Sequence, residues 1–399
     1  MLNKLNNILF LTSFWLLILL VKLTYILIIP FILIKKTRKN RRKILFLSPF
    51  FQNNAGYQYR AKIWSDILNK NNFQSEVKNS LSEKEFHKLK ARKNLNRFHL
   101  LFFIRRYLQV VSSLKYDKVI VRRELLLYND YGNLFLDKLL LFIHPNAILD
   151  FDDDIRKSKK EPRSISFYGK LLLENNSKFS NSLTLYNNFI CGSNYLNEIV
   201  KKSNPTSNSI FIPTCVDYDQ YSPKVFKSKE VITFGWIGGN NNQKYLDLII
   251  DDLNKFFINN RCELIVISGT KYINRKANFP IINLKWSIDS QIKDLYKIDI
   301  GLMPLKTTPV TKGKCGFKAI QYMGLGIPCI ATDLTANKDI IDSGINGFLV
   351  GKDNNWVDEF NNCKRLNLKE LGKNAKLKID NYYTFNANFT KLNKFLSKE

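Results

Sequence analysis

Residues 311–332 read Thr311-Lys312-Gly313-Lys314-Cys315-Gly316-Phe317-Lys318-Ala319-Ile320-Gln321-Tyr322-Met323-Gly324-Leu325-Gly326-Ile327-Pro328-Cys329-Ile330-Ala331-Thr332. The spacing of Phe317, Ile320 and Met323 predicts a short amphipathic helix, and the apolar run 328–331 predicts a buried strand directly after it. Two glycines, Gly313 and Gly316, leave backbone N–H groups uncovered where the helix begins. Three lysines surround them: Lys312, Lys314 and Lys318. Because the first amides of a helix lack helical partners and lie at its positive dipole end, this stretch predicts a phosphate site.

The motif Gly313 to Met323, together with Gly326, Pro328, Asn337 and Asn346-Gly347, resembles the donor-binding signature of family 4 (group 1) glycosyltransferases. The resemblance implies the GT-B fold, in which two Rossmann-like domains face each other across a cleft. Many members carry two glutamates eight residues apart, where this chain has Gly313 and Gln321. Gln321 can still hydrogen-bond a ribose hydroxyl, whereas Gly313 has no side chain to offer the sugar. The chain therefore resembles the subset that reads Gly-Lys-Cys-Gly-Phe-Lys.

The second half of the chain is expected to bind a nucleotide-sugar. A buried strand at 231–237 leads into Gly238-Gly239, where the backbone can approach a ligand closely. The resemblance implies that the donor diphosphate contacts this turn, Lys244, Lys314, Lys318 and the amides of Gly316 and Phe317, with Gln321 on the ribose. The alternation of strands and helices predicts a mostly parallel sheet covered on both faces. We expect this domain to span 223–380, and a helix at 381–399 to return to the first domain, as in the family.

The first domain is expected to span 43–222. Strand, glycine-bearing loop and helix over 43–69 are typical of a Rossmann-like unit, and the resemblance puts Asn54 and Gly56 on the acceptor side of the cleft. Strand 147–149 is followed by the acidic run Asp150-Phe151-Asp152-Asp153-Asp154. This run is typical either of a metal site, as in GT-A glycosyltransferases, or of loop capping, or of a group that orients an acceptor. Because the lysines can neutralise the diphosphate, we expect no metal and place Asp152 or Asp153 near the acceptor.

Residues 8–34 are apolar except for Thr12, Ser13, Lys22 and Thr24, and the run is long enough to cross a bilayer. Lys22 is costly on a lipid-facing helix and Pro30 can end or kink it, so a tilted span and a re-entrant anchor both stay open. A buried N-terminal helix of a soluble protein is the alternative. Seven Lys and Arg residues lie between positions 35 and 43, which predicts that they and everything after them are cytoplasmic. Residues 1–42 are therefore interpreted as an inner-membrane anchor with a basic juxtamembrane run.

The formal net charge of +28 could favour nucleic acid, an anionic membrane or phosphate-bearing substrates. No nucleic-acid-binding signature accompanies it, which favours a membrane surface. The segment 82–114 is basic and helical, and either packs on the sheet, which we favour, or lies on a membrane. The six cysteines and three histidines show no metal spacing.

The resemblance implies a retaining glycosyltransferase, and we expect it to need no metal and no cofactor besides its nucleotide-sugar substrate. Lys318, Asp152 and Asp153 are the candidate catalytic residues. The acceptor is expected to be lipid-linked, in the synthesis of a surface polysaccharide or glycoconjugate. The alternatives are a catalytically inactive GT-B homologue that acts as a membrane scaffold, and a basic nucleic-acid-binding protein.

Overall fold

The computed structural model describes residues 2–36, 42–90, 95–127, 134–156, 178–226 and 230–397. The chain forms two compact units, residues 1–211 and 212–399. Each unit is built on a six-stranded sheet in which every pairing between strands is parallel. The predicted pair of parallel-sheet α/β domains is therefore confirmed.

The first unit has the strand order β2-β1-β3-β4-β5-β6. Its strands are β1 (Lys43–Ser48), β2 (Gln74–Asn79), β3 (Lys118–Arg122), β4 (Ile148–Phe151), β5 (Asn188–Cys191) and β6 (Asn208–Phe211). Residues 44–48 of β1 are all buried, because helices cover both faces of a parallel sheet. Strand β4 runs two residues further than predicted, so Asp150 and Phe151 belong to the strand and only Asp152 to Asp154 follow it.

The first unit contains the helices α1 (Leu2–Leu27), α2 (Ile29–Lys36), α3 (Ala55–Tyr57), α4 (Ile63–Lys70), α5 (Glu83–Lys90), α6 (Leu95–Ser112), α7 (Phe135–Ile143), α8 (Lys178–Leu185) and α9 (Asn194–Ser203). A π-helical turn, Gln58–Lys62, joins α3 to α4. Within α1, the run Ile8–Leu27 is long and apolar enough to cross a membrane, with a mean hydropathy of 2.1. Buried side chains of α1 nevertheless belong to the same apolar core as the sheet and helices α6 and α7.

The second unit has the strand order β12-β11-β10-β7-β8-β9. Its strands are β7 (Ile232–Ile237), β8 (Cys262–Ser268), β9 (Ile281–Lys285), β10 (Ile300–Met303), β11 (Cys329–Thr332) and β12 (Gly347–Val350). The switch in strand order falls between β10 and β7, and ligands of doubly wound sheets bind beyond the carboxyl ends of strands at such a point.

The helices of the second unit are α10 (Ile250–Ile258), α11 (Gln291–Leu295), α12 (Pro309–Lys312), α13 (Phe317–Gly324), α14 (Thr335–Ile340), α15 (Trp356–Arg365), α16 (Leu368–Tyr382) and α17 (Phe385–Ser397). A 3₁₀ segment, Asn240–Ile249, precedes α10. The helix predicted after Gly316 is present as α13, followed at once by β11.

Candidate functional site

The start of helix α13 requires a glycine. Gly316 is its N-cap residue and has a φ of +70°, in the left-handed region that favours glycine. A Cβ at this position would also lie 2.4 Å from Cδ1 of Ile340. Since a glycine cap has no side-chain oxygen to bond the first turn, the amides there are oriented toward whatever lies beyond the helix end. The positive end of the helix dipole points the same way.

Tyr322 fixes the position of α13 on the sheet. Its buried hydroxyl accepts a hydrogen bond of 2.8 Å from the backbone N–H of Ile237, the last residue of β7. Its ring packs over Gly301 of β10, where a Cβ would lie 2.3 Å from the ring. Burial raises the pKa of the Tyr322 hydroxyl well above its ordinary value, so the group stays neutral. The start of α13 is thereby held beside the carboxyl end of β7.

Lys318 lies one turn before Tyr322, on the side of the helix that faces β7. Its Nζ is 4.2 Å from the centroid of the Trp236 ring. A Cβ on Gly238 would lie 2.9 Å from Cε of Lys318, so the lysine stem crosses the turn after β7. The structure therefore brings together two predicted donor residues, Lys318 and Gly238. Trp236 was missed by the sequence reasoning, since an aromatic residue in a buried strand is ordinary core.

The turn after β7 is tied to the end of β8. Ser268 donates from Oγ to the carbonyl oxygen of Gly238 at 2.8 Å, and this Oγ lies 3.2 Å from Oδ1 of Asn240. Gly239 is open: among the residues that the structure describes, apart from its chain neighbours, no heavy atom lies within 4 Å of a Cβ placed there. Lys244 follows on the 3₁₀ segment with an exposed side chain, and its Nζ is 5.7 Å from the ring of Tyr245. The described contacts of Lys244 are thus separate from the group formed by Lys318, Trp236 and Gly238.

The loops after β10 and β11 are also joined. Thr332 accepts a hydrogen bond of 2.8 Å from the N–H of Leu305, and its carbonyl accepts one of 2.8 Å from Nδ2 of Asn337. Asn337 is buried, and its Oδ1 is 3.3 Å from the position of a Cβ on Gly316. Lys314 is half-buried in the turn before α13. The signature residue Asn337 therefore holds β11 and the loop that follows it, next to the helix cap.

Gln321 is buried, with only 4% of its surface exposed. Its Nε2 is 3.4 Å from the hydroxyl of Tyr221 and 3.4 Å from Oε1 of Gln291. Trp286 also donates to that Oε1, at 3.3 Å. All three distances are at the long end of hydrogen bonding, so these contacts are weak. A ribose hydroxyl would compete with Tyr221 and Gln291 for the Gln321 amide.

In the first unit, Arg122 contacts two of the predicted acceptor residues. Its Nη2 donates to Oδ1 of Asp152 at 2.6 Å, and its Nε lies 3.4 Å from the carbonyl oxygen of Gly56. Asn54 caps α3 by accepting a hydrogen bond of 2.9 Å from the N–H of Gly56. Asn54, Gly56 and Asp152 are therefore neighbours around one buried guanidinium. Arg122 was absent from the predicted site, although Arg122-Arg123 at the end of a strand was the available signal.

Carboxylates of the acidic run form ion pairs with arginines. The buried Asp150 is bonded by Arg60, which lies in the π-helical turn and is itself only 2% exposed. Asp154 pairs with Arg156 at 2.9 Å. Among the residues that the structure describes, no group of three or more His, Cys, Asp or Glu side chains is arranged to hold a metal ion.

The electrostatics of Asp152 follow from these partners. Burial by itself would raise the pKa of this carboxyl, but the charges of Arg122 and Arg60 outweigh it and lower the pKa to about 2. Asp152 is therefore an ionised hydrogen-bond acceptor at neutral pH. Asp153, next to it, is half-buried.

Comparison with known proteins gives a family match for part of the chain and a fold for nearly all of it. Residues 229–365 match the family model described as glycosyl transferases group 1, and this region contains all the predicted donor residues. No match was found among curated protein sequences.

Solved structures match nearly the whole chain. A structure of HepE from Anabaena with UDP and glucose has a TM-score of 0.62 at 14% identity, covering 90% of this chain and 100% of that one. Sucrose-phosphate synthase from Thermosynechococcus elongatus has a TM-score of 0.64 at 9% identity, covering 89% and 98%. A glycosyltransferase from Rickettsia africae has a TM-score of 0.62 at 12% identity, covering 90% and 100%. At these identities the likeness establishes the fold, which is that of GT-B glycosyltransferases.

Proposed function

We propose that the protein is a glycosyltransferase that moves a sugar from a nucleotide-sugar to an acceptor at the cytoplasmic face of the inner membrane. The observation that carries this proposal is the group formed by Lys318, Trp236 and Gly238 beside the glycine-capped start of α13. A fixed ammonium, an open glycine turn and a helix N-terminus are the features that a diphosphate requires. The family match over residues 229–365 supports the same chemistry.

On the donor side, Lys318 binds the diphosphate and stabilises the negative charge that develops on it as the sugar departs. The amides of Gly316 and Phe317, together with Lys314 and Lys244, complete the anion site. Gly238 and Gly239 let the backbone approach the phosphates, and Gln321 contacts the ribose. Because cations and a helix dipole already oppose the charge of the diphosphate, the site works without a metal. UDP is the first nucleotide to test, since HepE is solved with UDP and with UDP-glucose.

The reaction retains the anomeric configuration, and the departing phosphate takes the proton of the acceptor hydroxyl. On the acceptor side, the ionised Asp152, with Asp153, orients that hydroxyl, and Arg122 fixes the direction of the Asp152 carboxylate. Asn54 and Gly56 line the same region. A hexose or related sugar is transferred to a lipid-linked acceptor in the synthesis of a surface polysaccharide or glycoconjugate.

The donor site is tested by thermal unfolding of the full-length protein with a panel of nucleotide-sugars. One member of the panel is expected to raise Tm, and Lys318→Ala is expected to abolish that shift. Lys369→Ala is the matched control, because Lys369 is an exposed lysine of the same unit outside the site. A panel without any shift, or an equal loss in both variants, would contradict the donor site.

A second candidate function is an inactive homologue that binds a nucleotide-sugar and serves as a membrane scaffold. It is favoured by the absence of a side chain at Gly313 and by the protein partners of the Gln321 amide. Radiolabelled donor incubated with membranes that contain the protein separates the two functions. Transfer or hydrolysis that depends on Lys318 supports the enzyme, whereas a Tm shift without turnover supports the scaffold.

A further inference from the structure

Helix α1 has one face inside the protein. Five apolar side chains are each at most 3% exposed and recur every three, four or seven residues: Phe10, Phe14, Ile18 and Val21 of α1, and Ile28 in the turn between α1 and α2. At 1.5 Å per residue this stripe is about 27 Å long, close to the whole apolar segment. A stripe with this spacing is one side of a helix that packs lengthwise on a neighbour.

The neighbours of this stripe are α6 and α7, which belong to the same core as the sheet. The rings of Phe14 and Phe103 lie 5.5 Å apart, edge to face. Thr24 and Tyr107 share a hydrogen bond of 2.7 Å between their hydroxyls. Moving α1 away into a bilayer would expose the apolar side chains beneath it to water, including Phe102 and Phe103.

Helix α2 is fastened to the same unit by a polar contact. Nζ of Lys35 lies 2.8 Å from Nδ1 of His144 at the end of α7. Burial, with a contribution from Lys35, lowers the pKa of His144 to about 3, so the imidazole is neutral and accepts a hydrogen bond from the ammonium. Both ends of the α1–α2 segment are therefore attached to the first unit.

The opposite face of the segment is also apolar. Thirteen large apolar side chains of α1 and α2 are between 41% and 70% exposed: Ile8, Leu9, Trp15, Leu16, Leu19, Leu20, Leu23, Ile26, Leu27, Ile29, Phe31, Leu33 and Ile34. The packed helices add four more: Leu101, Ile104 and Leu108 of α6 and Phe142 of α7. We call these seventeen side chains the outer face. Soluble proteins rarely expose an apolar patch of this extent, so the outer face is the surface of an interaction site.

The charge around the outer face favours an anionic bilayer as the partner. Residues 1–65 contain no Asp or Glu, whereas residues 1–43 contain nine Lys and Arg. Lys22 is exposed and lies near the middle of the apolar run 8–34. At a membrane surface its stem lies among the acyl chains while its ammonium reaches the headgroups, whereas a spanning helix would hold the charge in the hydrocarbon centre.

We infer that α1 and α2 dock the first unit onto an anionic bilayer from one side, with the outer face among the acyl chains and the inner face in the protein core. In this arrangement the segment lies along the membrane and does not cross it, in contrast to a tilted span. This inference rests on the membrane part of the proposed function and deepens it with the packing, the outer face and the charge of α1 and α2.

The first experiment locates the two termini. The full chain carries a protease-cleavable tag at each end and is produced in bacterial cells. Protease added to inverted inner-membrane vesicles is expected to remove both tags, and protease added to intact spheroplasts is expected to remove neither. Removal of the N-terminal tag in spheroplasts would show that α1 crosses the bilayer and would overturn the inference.

The second experiment measures docking by flotation with vesicles, without any nucleotide-sugar, so that its outcome is independent of the donor site. The full-length protein is expected to float with vesicles of phosphatidylethanolamine and phosphatidylglycerol, and at least tenfold less with phosphatidylcholine vesicles. The variant Leu16→Glu/Leu19→Glu/Leu23→Glu is expected to lose flotation while its Tm stays within a few degrees of the unmodified protein.

The matched control is Ile345→Glu/Leu366→Glu/Leu377→Glu, which makes the same change of charge at three exposed apolar residues of the second unit. It is expected to float normally. Unchanged flotation of the first variant would contradict docking through the outer face. A dimer that this variant dissociates, in a protein that does not bind vesicles, would assign the outer face to a second copy of the chain and overturn the inference.

Discussion

The two units place charge at the carboxyl edge of their sheets in different ways. In the first unit, Arg60 and Arg122 are buried and are bonded by Asp150 and Asp152. In the second unit, Lys318 lies over the face of Trp236, a cation–π contact with a ring that carries no formal charge. A pair of buried ions fixes the geometry of both side chains, whereas a cation–π contact orients the cation alone. Under the proposed function, the first arrangement orients an acceptor hydroxyl and the second binds a diphosphate.

The largest expected effect comes from removing Arg60, one member of the buried ion pair in the first unit. Arg60→Ala leaves Asp150 buried without its main partner, and is expected to lower the free energy of unfolding by about 3–5 kcal/mol. Urea unfolding followed by circular dichroism measures the change. Arg261→Ala is the control, because Arg261 and Glu230 form an exposed pair whose loss should cost at most about 1 kcal/mol. Similar losses in both variants would contradict the structural role given to the buried pair.

Replacing Lys318 should affect sugar transfer more than it affects the stability of the fold. Lys318→Ala is expected to lower the rate of sugar transfer about 100-fold or more, as for other groups that stabilise a developing negative charge. The unfolding free energy should fall by less than in Arg60→Ala, because loss of the cation–π contact is worth about 1–2 kcal/mol. Steady-state transfer assays and urea unfolding provide the two measurements. A Lys318→Ala variant that transfers sugar at the normal rate would contradict the role of Lys318 in the reaction.

Acid should weaken the first unit through Asp152. Because Arg122 and Arg60 lower the pKa of this carboxyl to about 2 against the opposing effect of burial, its contribution is present above the ordinary pKa of Asp and is lost as the pH falls toward 2. Between about pH 4 and pH 2 we expect a loss of roughly 2 kcal/mol from this group. Unfolding measured against pH tests it.

Two variants show whether this acid sensitivity comes from the arginine pair. Asp152→Asn is expected to remove that part of the pH dependence. Arg122→Gln is expected to shift it to higher pH, because the carboxyl loses its hydrogen-bonded cation. If neither variant changes the pH dependence of the unfolding free energy, the Arg122–Asp152 pair makes no contribution to that dependence.

The smallest expected effect comes from the ring beneath Lys318. Trp236→Leu removes the cation–π contact, and is expected to weaken donor binding about 3- to 10-fold. Trp236→Phe keeps a ring face and should lose less affinity, although both variants leave a cavity in the core. Isothermal titration with the donor separates the two. Equal affinities in the Leu and Phe variants would show that Trp236 acts only by packing.

Local patterns predicted much of the second unit. Gly316 was identified as the start of a helix from its neighbours alone, and its positive φ and its contact with Ile340 show why no other residue fits there. The parallel sheets could be predicted from the alternation of strands and helices. Each strand or helix has an apolar periodicity that depends only on residues close together in the sequence. The predicted boundary between domains and the return of the C-terminal helix stay predictions.

Contacts distant in sequence could not be predicted. Arg60 and Asp150 are 90 positions apart, and nothing in either neighbourhood specifies the other. The amide of Gln321 bonds Tyr221, 100 positions earlier, so its burial was not visible in the motif. The sequence also could not distinguish the buried face of α1 from its exposed face, for a different reason. Lipid and protein core select the same apolar side chains, and a helix that meets both is apolar all round.

The packing of α1 has a consequence for the order of events during synthesis. Residues 2–27 leave the ribosome long before Phe103 and Leu140, the side chains that will cover their inner face. At about 5–20 residues per second, the wait for Leu140 is roughly 6–23 seconds. For that time the nascent chain presents an apolar helix on all sides, a form that targeting factors and holding chaperones recognise. The first unit therefore cannot cover the inner side of this helix until more than a hundred further residues have been made.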